Sequence, residues 1–204
     1  MSETPPHVPR KPEHFDAMYE EKPPWDIDRP QAAVAALAEA GELRGRVLDA
    51  GCGTGEHTLM AAGLGLDATG IDTAAAAIQS AKRKAEERGV TARFLVRNAL
   101  ELASLGEQFD TAIDSGLFHV LDDDDRRRYV ENLRAVIRPG GRYFMICFSD
   151  RQPGEFGPRR IRQDEIRSSF ADGWRVDAIE PVEIENNRGA EITGWLARIT
   201  RVDG

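Results

Sequence analysis

The sequence predicts an α/β fold, in which a seven-stranded, mostly parallel sheet carries helices on both faces and ends in an antiparallel strand pair. Three observations predict it. From Arg46 onward, short apolar runs alternate with helical stretches, the pattern of buried parallel strands joined by crossover helices. The first run ends in Asp49 and breaks into Gly51, Gly53 and Gly55 before a helical stretch, which suits a strand, a tight turn and a helix N-terminus. At the far end, residues 174–185 and 191–202 alternate at period two around Asn186-Asn187-Arg188-Gly189-Ala190, as the strands of a hairpin do.

Taken in order, residues 1–13 hold four of the 11 prolines, Pro5, Pro6, Pro9 and Pro12, and read as a flexible tail. Residues 14–21 read as a short helix stopped by Pro23 and Pro24, and 14–40 together as an N-terminal lid and helical segment. Its second half, 31–40, is an Ala-rich helix closed by Gly41. Strands are predicted at 47–50, 68–71, 92–96, 109–114 and 142–148, and helices at 56–64, 73–88, 123–137 and 163–170. Right-handed crossovers set the C-termini of these parallel strands on one edge, where ligands gather. Asp49, Asp72, Asn98 and Asp114 all lie at or just beyond that edge.

The 204 residues are enough for one domain with a continuous core, 1–204. With 41% hydrophobic and 30% charged residues, neither a membrane protein nor a disordered chain is favoured. No apolar stretch approaches the ~20 residues that cross a bilayer, and residues 1–22 lack the apolar core of a signal peptide, so a cytoplasmic location is expected. A net charge of -8 argues against a nucleic-acid partner. Arg126, Arg127 and Arg128 follow the acids 122–125 and read as the solvated start of a helix. Cys52 and Cys147 form no C-x-x-C pair, as a reduced intracellular protein allows. His7, His14, His57 and His119 lack zinc-ligand spacing, so no metal site is expected.

The chemistry concentrates at the glycine turn. Glycine there lets backbone pass close to a ligand, and Asp72, ending the next apolar run, is placed to accept hydrogen bonds from ribose hydroxyls. A dinucleotide fingerprint would need Gly or Ala at position 56, where this chain has Glu56, a carboxylate that repels a pyrophosphate at the helix end. Asp49 and Glu56 suit a ligand with a cationic part instead. No phosphate-cradling G-x-x-x-x-G-K-[ST] is present.

Asp49, Gly51, Gly53 and Gly55, with Asp72 at its distance and Pro139-Gly140-Gly141 before the fifth strand, resemble the class I S-adenosylmethionine-dependent methyltransferases, whose fold is Rossmann-like. The stretch Pro23-Pro24-Trp25-Asp26-Ile27-Asp28-Arg29-Pro30-Gln31 is similar to one in the thiopurine- and heterocycle-modifying subset. The resemblance implies that S-adenosylmethionine is the cofactor and that its methyl goes to an O, N or S nucleophile of a small, aromatic or heterocyclic acceptor. It implies a cofactor set of Trp25, Asp49, Gly51, Cys52, Gly53, Thr54, Gly55, Asp72, Thr73, Asn98, Ala99, Asp114 and Ser115. Asp49 either steadies the turn or faces the cationic methionine moiety, Asp72 holds the ribose, and Asn98 with Ala99 reads adenine. Tyr19, Phe118 and His119 would border the acceptor. His119 is the candidate base should the nucleophile carry a proton, its ordinary pKa near 6.5 being suitable. A non-catalytic S-adenosylmethionine sensor and a nicotinamide-dependent oxidoreductase are the rival readings, since fold alone does not settle function.

Overall fold

Alternating side chains along the central strands bury both faces of one sheet. Val47, Ile113, Phe144 and Ile146 point to one side, and Leu48, Ala112, Tyr143 and Met145 to the other. The computed structural model describes residues 17–19 and 21–203. The strands are β1 (Arg46–Ala50), β2 (Asp67–Asp72), β3 (Arg93–Val96), β4 (Phe109–Ser115), β5 (Ile137–Phe148), β6 (Trp174–Glu183) and β7 (Thr193–Arg201). They lie in the order β3-β2-β1-β4-β5-β7-β6. β1 to β5 pair in parallel, and β7 runs antiparallel between β5 and β6. The predicted seven-stranded, mostly parallel α/β sheet with its C-terminal antiparallel pair is therefore present.

Helices α1 (Ala32–Glu39), α2 (Glu56–Gly63) and α3 (Ala75–Arg88) cover one face through residues such as Leu37, Leu59 and Ile78. Helices α4 (Asp123–Val136) and α5 (Gln163–Ser169) cover the other, where Tyr129, Leu133, Ile166 and Phe170 pack on Tyr143 and Trp195. Each such large apolar side chain contributes about 1.5–3 kcal/mol on burial. Asp122 caps α4 by accepting from Asp125 N–H at 2.8 Å, with three acids in the first turn.

Two expectations are corrected, for β5 and for Arg126. β5 begins at Ile137, so Pro139-Gly140-Gly141 lies inside the strand, and the pairing with β4 shifts register between Phe109 and Thr111. Short 3₁₀ turns at Ala99–Leu105 and Phe118–Val120 escaped the apolar periodicity. Arg126 is buried rather than solvated, its guanidinium 4.5 Å over the Phe118 ring. The tail at 1–13 and residues 14–16 and 20 of the helix expected at 14–21 lie outside the described residues.

The strand order reverses between β1 and β4. A crevice opens there at the C-terminal ends of the parallel strands, the place where open α/β sheets bind ligands.

Candidate functional site

The chain leaves β1 through the glycine turn and is tied to its neighbour at once. Gly51 N–H and Cys52 N–H both donate to Ile71 O at 2.9 Å. Gly51, Gly53 and Gly55 all adopt positive φ, which L side chains rarely do. Asp49 is fully buried and accepts from Thr58 N–H at 3.1 Å and Thr58 Oγ1 at 2.7 Å, so it holds the first turn of α2 onto β1. Of the two roles expected for Asp49, the geometry gives the steadying of the turn; its carboxylate does not reach the crevice wall.

Asp72 ends β2 with one oxygen accepting from Gly53 N–H at 2.9 Å and the other from Ala74 N–H at 2.8 Å. Burial raises its pKa, with those backbone donors opposing the rise. Glu56 does not offer a free carboxylate to a ligand, contrary to expectation. Lys84 Nζ and both Arg88 Nη atoms donate to it at 2.8 Å. Burial works against its charge, yet these cations outweigh burial and hold its pKa below the ordinary value. Lys84 also reaches Thr54 Oγ1 at 2.9 Å and Asp28 at 3.3 Å. Burial pushes the Cys52 thiol well above its ordinary pKa, with Asp49 and Asp72 adding to the rise, so it is no ready nucleophile.

Across the crevice, Asn98 caps the Ala99–Leu105 turn by accepting from Leu100 N–H at 2.9 Å. The amide oxygen expected to meet adenine thus already has one donor, while Asn98 and Ala99 still face the crevice with Thr73 and Ser115. Asp114 and Phe118 are corrected more strongly. Asp114 is fully buried and accepts from Tyr143 Oη at 2.8 Å, Tyr129 Oη at 3.1 Å and Leu117 N–H at 2.8 Å. It orders the 116–120 loop from beneath; desolvation raises its pKa to about 6 against those donors. Phe118 is likewise fully buried, stacked 5.9 Å from Phe170.

His119 does line the crevice, but its geometry weakens the role of base. Its Nδ1 accepts from Phe148 N–H at 3.0 Å. That places the proton of the neutral ring on Nε2, and taking a second proton at Nδ1 would break the bond.

The N-terminal segment covers the turn. Tyr19 Oη accepts from Trp25 Nε1–H at 3.1 Å, and a Cβ on Gly53 would lie 2.6 Å from the same oxygen. Burial raises the Tyr19 pKa, with Asp72 adding to the rise. Both rings face the crevice, Trp25 38% exposed.

Sequence reasoning missed what fastens this cover, beyond including Gln31 in the stretch that resembles the heterocycle-modifying subset. The Gln31 amide clasps the backbone of Glu185, its Nε2–H donating to the carbonyl and its Oε1 accepting from the N–H, both at 2.9 Å. Glu185 in turn accepts from Ala32 N–H at 2.8 Å and pairs with Arg29 at 2.7 Å. Asn187 donates to Pro23 O at 2.8 Å and Asp26 O at 3.1 Å. His57 Nε2 accepts from Gln31 N–H at 3.1 Å, and burial lowers its pKa. Partners 154 residues apart leave no local signal.

Together these elements enclose a cavity of about 1700 Å³ running from the glycine turn to the loop after β5. No helix among the described residues is long and apolar enough to cross a membrane.

Comparison with known proteins agrees with this geometry. Residues 47–141 match a family model described as a methyltransferase domain. The chain is 36% identical over 203 residues to the 2-heptyl-1-hydroxyquinolin-4(1H)-one methyltransferase of Mycobacteroides abscessus, an alignment covering 88% of this chain and 89% of that one. A solved structure from work on the conversion of a disulfide bond into a thioacetal group during echinomycin biosynthesis superposes with a TM-score of 0.87 at 37% identity, over 94% of this chain and 93% of that one. Magnesium protoporphyrin IX methyltransferase from Synechocystis PCC 6803, with bound S-adenosylhomocysteine, shares the fold at a TM-score of 0.65 and 19% identity, over 91% and 83% of the two chains. By near full-length relatedness, and with the glycine turn and strand-end acid in place, the chain belongs to the S-adenosylmethionine-dependent methyltransferases.

Proposed function

We propose that this methyltransferase carries a methyl group from S-adenosylmethionine to an O, N or S nucleophile of a small aromatic or heterocyclic acceptor, and that it does so in the cytoplasm. The observation that carries the acceptor class is one continuous cavity, large enough for cofactor and acceptor together and walled at its far end by Phe148 and Phe156. The similarity to a hydroxyquinolone methyltransferase supports the same class. Two free cysteines with thiols raised by burial suit a reduced compartment.

The residues present fit the cofactor. Asp72 holds its oxygens at the strand edge, ready for a ribose diol, and Gly53 offers backbone where a side chain would collide with Tyr19. Asn98 and Ala99 stand where the adenine would lie, and Gly51, Cys52, Thr54, Thr73 and Ser115 complete that wall. Bound S-adenosylmethionine supplies an electrophilic methyl on a cationic sulfur. The protein's share is alignment and exclusion of water: Tyr19 and Trp25 cover the turn, and the Gln31–Glu185 clasp fixes that cover. His119 lines the cavity with its Nδ1 already held by Phe148 N–H, so it shapes the acceptor end rather than taking a proton there.

Titration calorimetry with S-adenosylhomocysteine, with NADH for comparison and Asp72→Ala as the control, tests the cofactor site. Micromolar or tighter binding of the first alone, weakened in the variant, is expected; binding of NADH would overturn the assignment. Mass spectrometry after incubation with S-adenosylmethionine and 2-heptyl-1-hydroxyquinolin-4(1H)-one, phenols or thiols then tests the acceptor class. The absence of a methyl gain on every aromatic acceptor would refute it.

A further inference from the structure

The loop joining β5 to α5 is built around one cation. Its base is closed where Ile161 N–H donates to Phe148 O at 3.0 Å and Asp150 N–H to Ile161 O at 3.1 Å. Within it, Arg160 donates to four backbone carbonyls: Gln152 O at 3.3 Å, Pro158 O at 2.8 Å, Gly154 O at 3.1 Å and Phe156 O at 2.8 Å. The guanidinium lies 5.2 Å from the Phe148 ring centre and 5.5 Å from that of Phe156. Phe148 in turn meets the His119 ring edge-on at 5.1 Å. His119, Phe148, Arg160 and Phe156 therefore form a continuous wall from the strand ends to the mouth of the cavity. Phe156 is 53% exposed, so its ring is open to a ligand entering the cavity.

Arg160 differs in charge balance from the paired arginines around it. Neighbouring Arg159 pairs with Asp123 and Glu165, Arg162 with Asp164, and Arg29 with Glu185. Among the described residues, no carboxylate comes within 4.0 Å of Arg160, and carbonyl dipoles and the two ring faces answer its charge. Burial alone acts on its pKa, lowering it, with no nearby acid to oppose. Four carbonyls occupy the guanidinium edge, so the group works as a fixed positive plate between aromatic rings rather than as a fork.

We infer that the Phe148–Arg160–Phe156 wall selects the acceptor. A planar, π-rich acceptor stacks on it, and its reacting group binds as an anion, having lost its proton to solvent. The inference rests on the small aromatic acceptor proposed above. It agrees with the geometry of His119, whose Nδ1 is held by Phe148 N–H and does not take the acceptor's proton. The acceptor class is thus narrowed to acidic heteroatoms such as N-hydroxy heterocycles, phenols of low pKa and thiols.

The test is calorimetric binding to protein saturated with S-adenosylhomocysteine. Two probes are used: 2-heptyl-1-hydroxyquinolin-4(1H)-one, buffered above the pKa of its N-hydroxyl, and the neutral 2-heptylquinolin-4(1H)-one that lacks it. Wild-type protein is expected to favour the anion at least tenfold. Arg160→Met should bring that ratio close to one while leaving S-adenosylhomocysteine affinity unchanged. Phe156→Ala should weaken both probes alike and preserve the ratio. Arg160→Lys keeps the charge and loses the planar guanidinium, so a retained preference there supports selection by the positive charge of the wall even if the methionine variant fails to fold. An unchanged ratio in Arg160→Met, or a lost one in Arg160→Lys with cofactor binding intact, overturns the inference. Wild-type protein that binds S-adenosylhomocysteine but neither probe would instead remove the acceptor class, and this inference with it.

Discussion

Alanine at Gly55 places a Cβ 2.8 Å from Ala81 Cβ and 2.8 Å from Phe94 Cε1, at a φ of +87°. Neither neighbour can withdraw, because both are buried between α2, α3 and β3. The left-handed backbone costs about 1–2 kcal/mol for a residue with a Cβ, and overpacking a closed core adds about 1–3 kcal/mol. For a chain of this size that sum lowers Tm by about 5–15 °C. Alanine at Gly53 meets a different obstacle. Its φ is +53°, and the Cβ lies 2.6 Å from Tyr19 Oη, the free end of a side chain that can swing away. The folding cost is then about 1 kcal/mol from the backbone, or about 2–4 °C in Tm. The displaced Tyr19 no longer covers the turn, and S-adenosylhomocysteine affinity should fall about tenfold, equivalent to about 1.4 kcal/mol. Differential scanning calorimetry gives the Tm values, and titration calorimetry the affinities. Equal Tm losses in the two variants, or a Gly53→Ala protein that binds S-adenosylhomocysteine like wild type, would refute this division of labour.

Three further outcomes are expected. Asp72→Asn keeps an oxygen for one of the two backbone donors, so it should fold yet bind S-adenosylhomocysteine about tenfold to a hundredfold more weakly, at about 1.4 kcal/mol per tenfold; unchanged affinity would remove Asp72 from the site. Asp114 has a folded pKa of about 6 against an ordinary 3.8, so folding takes up its proton. Its contribution to stability is full below the unfolded value and is lost as pH rises through 6, about 3 kcal/mol in all. Urea midpoints measured from pH 4 to pH 8 should accordingly slope less in Asp114→Asn, with the buried Asp49 and Asp72 supplying the remaining slope; identical slopes contradict the linkage. Gln31→Ala orphans both backbone groups of Glu185, at about 1–3 kcal/mol each. Hydrogen exchange should accelerate across residues 23–32 and leave β1 and β4 protected, whereas uniform acceleration would show that the clasp belongs to the global fold.

Much of the architecture was legible because its signals are local. The apolar runs placed β1 to β4 closely, Gly41 and Gly89 ended their helices, and period-two alternation marked β6 and β7. The exceptions share a cause. Pro139-Gly140-Gly141 reads as a loop, yet pairing of Ile137 with Phe109 starts the strand ahead of it. Arg126 reads as solvated beside its acids, yet the Phe118 ring beneath it and the acids at Asp123 and Glu165 draw it inward. Charge and hydropathy of a residue do not reveal what lies across the fold from it.

The site divides in the same way. The residues alone determined the glycine turn and the strand-end acid Asp72, since each is written in contiguous spacing, and the family resemblance that they carry implied the cofactor class and the aromatic N-terminal cover. Tertiary structure alone decided the direction of each carboxylate. It turned Asp49 onto Thr58 and Asp114 onto two tyrosines, and neutralised Glu56 with Lys84 and Arg88. It likewise fixed the His119 tautomer through Phe148 and left Arg160 with carbonyls for company. Hydrogen-bond and ion-pair partners are set by distance in space, and for these side chains the deciding partners lie on other elements or on loops whose course only the folded chain defines.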